Sequence, residues 1–196
     1  MKKLPELILE RSQSLPEGGV LAPKEFLGQG SRAAIDQAFS RLAKAGKLIR
    51  VCRGMYVVPV KGRFGSRAPA PEKIVQALAE KNSEIFTSTG ARAANSLGLT
   101  QQVPMREMFL TSGQARTLKI GKSEIQIKHA PQWMLGTSAA GEAVRALAWL
   151  GKEHANSGLS LLHSKLPESE WANLLARRSN LPSWLAGLLG KEAFRA

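Results

Sequence analysis

Apolar residues recur at helical spacing in the first third of the chain, alternate with polar ones through the middle, and crowd together as leucine and tryptophan towards the end. Leu4 to Ser12 reads as a short helix. "GGVLAPKEFLGQGS" predicts a brief second helix around Pro23 to Leu27, proline being tolerated in a first turn, closed by a tight turn at Gly28 and Gly30. Ser31 is placed to cap a third helix in which Ile35, Ala38, Phe39 and Leu42 fall at i, i+3, i+4 and i+7, one apolar stripe. Gly46 is expected to end that helix at the position after its cap. The chain then alternates from Leu48 to Val58, and Arg53-Gly54 marks the reversal of a hairpin, glycine supplying the positive φ such a turn needs.

The pattern breaks at "PVKGRFGSRAPAPEK", where prolines and glycines stop helices and central strands alike. Residues 61–70 are therefore predicted to be a linker between a domain over 1–60 and a second over 71–196. The second begins with a helix from Pro71 to Lys81, followed by strand patterns in "EIFTST", "EMFLT", "ARTLKI" and "EIQIKHA" and a short helix in "GARAANSLGL". Helices are expected over 139–155, 168–178 and 184–189, with Trp133, Trp149, Trp171 and Trp184 packing their core, an aromatic patch open to a partner being the alternative. Strands and helices segregated in this way imply α+β. The expected architecture is an N-terminal winged helix-turn-helix domain followed by a mixed α+β C-terminal domain ending in helices.

Charge changes this picture from architecture to partner. Lysine and arginine number 28 against 15 acidic residues, a net charge of +13. Such an excess favours polyanions, nucleic acid before an anionic membrane surface. No stretch is apolar for the length of a membrane span, and charges interrupt the N-terminal segment early, so a soluble, cytoplasmic protein with no membrane partner is expected.

The cations fall where a DNA reader would need them. With the apolar stripe turned inward, the third helix offers Arg32, Asp36, Gln37, Ser40, Arg41 and Lys44 to solvent, and Ser31 at its cap joins the candidate DNA contacts. Arginine and glutamine suit bidentate reading of guanine and adenine edges, so Arg32 and Gln37 are the candidates for base contacts. Arg41, Lys44 and Lys47 are better placed for phosphates, which set register and affinity. Arg50 and Arg53 would carry the hairpin to the backbone or the minor groove, and Lys61 and Arg63 extend the basic run beyond it. Asp36 opposes phosphate unless it reads cytosine or pairs with a neighbouring base.

"SRAAIDQAFSRLAKAGKLIRVCRGMYVVP" resembles the N-terminal winged-helix segment of AbiEi-type antitoxins, through Arg41-Leu42, Gly46, Leu48, Arg50 and Arg53-Gly54-Met55-Tyr56. "TSTGARAANSLGLTQQVP" and "MFLTSGQARTLKIGKSEIQIKHA" resemble the same group, so the likeness runs from about residue 20 to 130. What the resemblance implies is a DNA-binding antitoxin of a type IV toxin–antitoxin system. Such a protein represses its own operon, on operator DNA carrying inverted repeats, and counters a nucleotidyltransferase-like toxin. It implies no catalytic residues.

Enzyme chemistry finds little support in the residues. Cys52 is the sole cysteine, so neither an intramolecular disulfide nor a cysteine-based zinc cluster can form. Its place in the hairpin reads as a small half-buried filler, with a redox switch as the alternative. His129, His154 and His163 lack metal-site spacing, and Gly65-Ser66 is followed by no acid pair of the kind a nucleotidyltransferase uses on its metals. No metal or cofactor is expected. The second reading is a stand-alone winged-helix regulator whose C-terminal domain senses a ligand or dimerises; the third is a nucleic-acid-modifying enzyme.

Overall fold

The computed structural model describes residues 3–63, 65–121 and 123–194. In chain order the elements begin with α1 (Leu4–Gln13), β1 (Val20–Leu21), a 3-10 helix (Pro23–Gln29), α2 (Arg32–Lys44), β2 (Ile49–Cys52) and β3 (Met55–Val57). They continue with β4 (Val60–Gly62), β5 (Gly65–Arg67), α3 (Pro71–Asn82), β6 (Phe86–Ser88), α4 (Gly90–Ser96), β7 (Glu107–Thr111), β8 (Arg116–Ile120) and β9 (Ser123–His129). After a 3-10 turn (Gln132–Met134) come α5 (Ala139–Lys165), α6 (Glu168–Ala176), a further 3-10 turn (Arg177–Asn180) and α7 (Ser183–Ala193). The architecture is thus mixed α+β with small sheets, and it ends in helices. Among the described residues, no helix is long and apolar enough to cross a membrane.

The chain divides into two compact units, Met1–Glu84 with Arg116–Ile127, and Ile85–Ala115 with Lys128–Ala196. The division does not fall at residues 61–70. That stretch forms the antiparallel β4–β5 hairpin, Gly62 opposite Gly65, and α3 follows it in the same unit. The prolines around it sit outside the two strands, at Pro59, Pro69 and Pro71, where no ladder hydrogen bond is lost.

In the first unit the stripe on α2 explains the packing. Ile35, Ala38, Phe39 and Leu42 are buried with Ile8 of α1, Leu21, Phe26, Leu48 and Tyr56. Phe39 meets Phe26 edge-on at 5.5 Å and Tyr56 at 4.8 Å between ring centroids, geometries in which aromatic quadrupoles attract. β3 is the centre of a three-stranded antiparallel sheet in the order β1-β3-β2, with Val57 between Val20 and Ile49. α3 buries Ile74, Val75 and Leu78, and Lys81 near its end donates to the Val20 carbonyl at 2.9 Å and pairs with Glu25. The β8–β9 hairpin, Leu118 opposite Ile125, belongs to this unit through buried Leu118, Ile120, Ile125 and Ile127, and β8 packs along β2. Arg116 donates to both carboxylate oxygens of Glu84, at 3.1 and 2.8 Å.

In the second unit β6 pairs antiparallel with β7, and α4 packs on α5. Gly90 permits that approach, since a Cβ there would fall 2.5 Å from the Arg145 carbonyl oxygen. The helical end has a core of Val144, Leu147, Leu159, Leu162, Trp171, Leu174, Leu185 and Leu189, with Trp133 and Trp184 partly buried against it. Trp149 departs from the expected core set and is 41% exposed. α5 runs past the predicted end at residue 155, with a kink at Gly151, where φ is 73°. Glycine tolerates that backbone, and buried Ala155, Leu159 and Leu162 carry the helix on beyond it.

Candidate nucleic-acid interface

The candidate site is built on the polar side of α2 and the hairpin behind it. Ser31 caps α2, its hydroxyl accepting from the Ala34 N–H at 3.3 Å. At the other end the Lys47 N–H bonds to the Leu42 carbonyl and the Gly46 N–H to the Ala43 carbonyl, with Gly46 at φ 68°. This is the Schellman closure that the glycine's position anticipates. The closure turns the chain directly into β2. Gly54, at φ 72°, reverses it into β3, and a bulge between Arg50 and Cys52 twists the ladder.

With the stripe buried, Ser31, Arg32, Asp36, Gln37, Arg41 and Lys44 are exposed on α2, and Lys47, Arg50 and Arg53 are exposed beyond it. Arg32 is not a free base-reading arm, because its Nε donates to Asp36 Oδ2 at 2.9 Å, one turn along the helix. Asp36 therefore takes the pairing role among those open to it in the sequence. Gln37, Arg41, Lys44, Lys47 and Arg53 make no side-chain hydrogen bond or ion pair among the described residues. The Arg50 Nε reaches the Cys52 carbonyl oxygen at 3.4 Å.

Two shallow grooves show which of these cations the fold brings together. One is lined by Lys44, Arg50 and Lys119 with Ser40 and Tyr56; the other by Arg50, Arg53, Cys52, Thr117 and Lys119. Lys119 is the residue sequence reasoning missed. It sits on β8, whose alternation buries Leu118 and Ile120 and leaves Thr117 and Lys119 outward beside β2. Nothing local distinguishes it from any outward lysine; only the non-local packing of β8 on β2 makes it part of the basic edge. Lys119 also lies 3.7 Å from Glu124, an exposed pair of small energetic weight. Lys61 and Arg63, on β4 and its turn, are exposed but line neither groove.

Cys52 is half-buried between these cations. Burial pushes its thiol above the ordinary value, outweighing the pull of Arg116 and Arg50 towards thiolate. A reactive thiol needs the opposite balance, so the residue behaves as a small apolar filler. Among the described residues no group of three histidines, cysteines or acids could hold a metal ion. His163 stacks on Trp171 at 4.5 Å, and His129 Nδ1 lies 2.9 Å from the Gly113 carbonyl oxygen.

What the arrangement can do is bind a polyanion: a helix ending in Arg41 and Lys44, a hairpin bearing Arg50 and Arg53, and a neighbouring strand adding Lys119. No curated protein and no solved structure matches the chain. One family model, described as a family of unknown function, DUF6088, matches residues 7–160. The chain therefore belongs to the DUF6088 family.

Proposed function

We propose that this chain is a sequence-specific DNA-binding antitoxin and transcriptional autorepressor. The observation that carries the DNA-binding part is the order α1, β1, 3-10 helix, α2, β2, β3, with the polar side of α2 and the arginines of the hairpin both open to solvent. Three helical segments followed by a two-stranded hairpin is the order of a winged helix-turn-helix. In such a fold the last helix enters the major groove and presents side chains to base edges. In this reading α2 is the recognition helix and β2–β3 the wing. Gln37 reads an adenine edge, and Arg41, Lys44, Lys47, Arg50, Arg53 and Lys119 take phosphates.

The antitoxin part rests on the resemblance of residues 20–130 to AbiEi-type antitoxins. The test has two arms. Footprinting of the full-length protein on its own promoter should protect an inverted repeat, and co-expression with a nucleotidyltransferase encoded beside it should restore growth. Protection without rescue removes the antitoxin role and leaves a regulator. An absence of protection even at low salt sinks the DNA-binding reading itself. A second reading, a stand-alone regulator whose C-terminal part senses a ligand, is favoured by a cavity at Trp133 and Arg177 in the second unit.

A further inference from the structure

The second unit contains a cavity of about 730 Å3 beside the start of α5, inside the roughly 300–1,000 Å3 range of small-molecule sites. Trp133 and Gln132 form one part of its wall, Thr137 another, and Arg177 and Asn180 of the 3-10 turn after α6 a third. Arg177 is the only charged residue among those lining it.

The guanidinium of Arg177 makes no hydrogen bond or ion pair among the described residues. It reaches the wall because position 136 is glycine: a Cβ there would fall 2.7 Å from Arg177 Nη1 and 3.2 Å from its Cζ. Two carbonyls of this loop are already engaged. Arg145, only 3% exposed, donates through Nη1 to the Met134 carbonyl at 3.1 Å and the Gly136 carbonyl at 2.5 Å. Glu170, whose charge reaches Arg177, is likewise committed, accepting from the Ala140 N–H at 2.7 Å and from Asn173. What is left at the cavity is a planar fork of donors without a protein acceptor, in a wall that also includes Trp133, Gln132 and Asn180. A guanidinium in that state matches a carboxylate bidentately, and an indole offers a surface for an aromatic ring.

We propose that this cavity binds a small aromatic carboxylate, the anion held by Arg177 and the ring packed against Trp133. Gln132 and Asn180 then meet polar substituents on the ring. The inference is independent of DNA binding by the first unit.

The test titrates the full-length protein with 2-naphthoate, and with the neutral 2-naphthamide as its isostere, following saturation-transfer NMR and tryptophan emission up to about 1 mM. Naphthoate should bind, and the amide should bind about ten-fold or more weaker, the scale of a charge-assisted hydrogen bond. Arg177→Gln should weaken naphthoate by a similar factor and leave the amide unchanged. Trp133→Leu should weaken both ligands. Arg178→Gln, one residue on and bonded to the Leu175 carbonyl, should change neither. Thermal melts of each variant separate loss of binding from loss of fold, and Arg177→Lys, which keeps the charge without the fork, should retain part of the affinity. The proposal is overturned by no naphthoate binding at about 1 mM, by equal binding of the amide, or by naphthoate affinity that survives Arg177→Gln.

Discussion

Arg32 and Asp36 form an ion pair 2.9 Å long on the exposed side of α2, one turn apart, at the start of the proposed recognition helix. An exposed i,i+4 pair contributes only about 0.3–0.5 kcal/mol to the helix, so its consequence is for recognition rather than stability. The pair holds the guanidinium along the helix and leaves a carboxylate on a surface proposed to face phosphates.

Replacing Asp36 with alanine is therefore expected to tighten DNA binding several-fold at low salt while leaving the melting temperature nearly unchanged. Arg32→Ala should matter little in the native background and more in the Asp36→Ala background. A double-mutant cycle read by fluorescence anisotropy, repeated at rising salt, checks both statements. A native Arg32→Ala loss as large as that in the Asp36→Ala background would show that the pair opens on DNA.

The cations that line the two grooves should behave as phosphate contacts. Arg50→Ala, Arg53→Ala and Lys119→Ala should each weaken binding to all sequences alike and reduce the log–log salt slope by about 1. Gln37→Ala should instead relax preference at one operator position, at a cost of about 1–3 kcal/mol in discrimination. Lys61→Ala and Arg63→Ala serve as the contrast: neither residue lines a groove, so a smaller change in slope is expected. Anisotropy titrations against operator and scrambled duplexes separate the two classes.

The elements that local pattern predicts are those whose buried residues lie close together in the chain. The stripe Ile35, Ala38, Phe39, Leu42 and the Gly46 closure mark α2 completely, a short apolar run marks β7, and alternation marks β8 and β9. β1 is two residues long and owes its identity to pairing with β3, so no local period announces it. Residues 139–155 read as one helix through Gly151; the backbone kinks there, and the packing of Leu159 and Leu162 extends α5 to Lys165. The site divides in the same way. The basic residues of α2 and its hairpin are legible because they are contiguous, whereas Lys119 joins them only through the packing of β8 on β2. The Arg32–Asp36 spacing is visible in the sequence, and the structure shows the two side chains paired.

Two substitutions test the packing of each unit separately. Phe39 is fully buried between Phe26 and Tyr56, so Phe39→Ala should cost about 3–5 kcal/mol. Gly141, at the start of α5, lies so close to Gly136 that an added Cβ would clash with its backbone rather than with a movable side chain. Gly141→Ala should therefore destabilise by about 1–3 kcal/mol or more, despite alanine's better helix propensity. Urea denaturation of the full chain measures both, the Phe39 variant by far-UV circular dichroism and the Gly141 variant by tryptophan emission. Since Trp133, Trp149, Trp171 and Trp184 all lie in the second unit, the Gly141 variant should shift that signal directly.

Glu170 ties two helices together and gives the fold an acid-sensitive joint. Its carboxylate accepts the Ala140 N–H in the first turn of α5 at 2.7 Å, adding to the Ser138 cap on the Gly141 N–H. That backbone hydrogen bond, followed by smaller contributions from Asn173, Ser138 and Arg177 set against partial desolvation, holds the carboxyl below the usual glutamate range. A carboxylate whose folded pKa is depressed stabilises the native state at pH above its unfolded value. That contribution is lost as pH falls through the folded one. Wild type should accordingly lose stability relative to Glu170→Gln as pH drops below the ordinary carboxylate range, and the difference should be constant at neutral pH. Melting temperatures of the two proteins across that acid range decide it, and parallel curves throughout would mean that the Ala140 contact does not depend on the charge of Glu170.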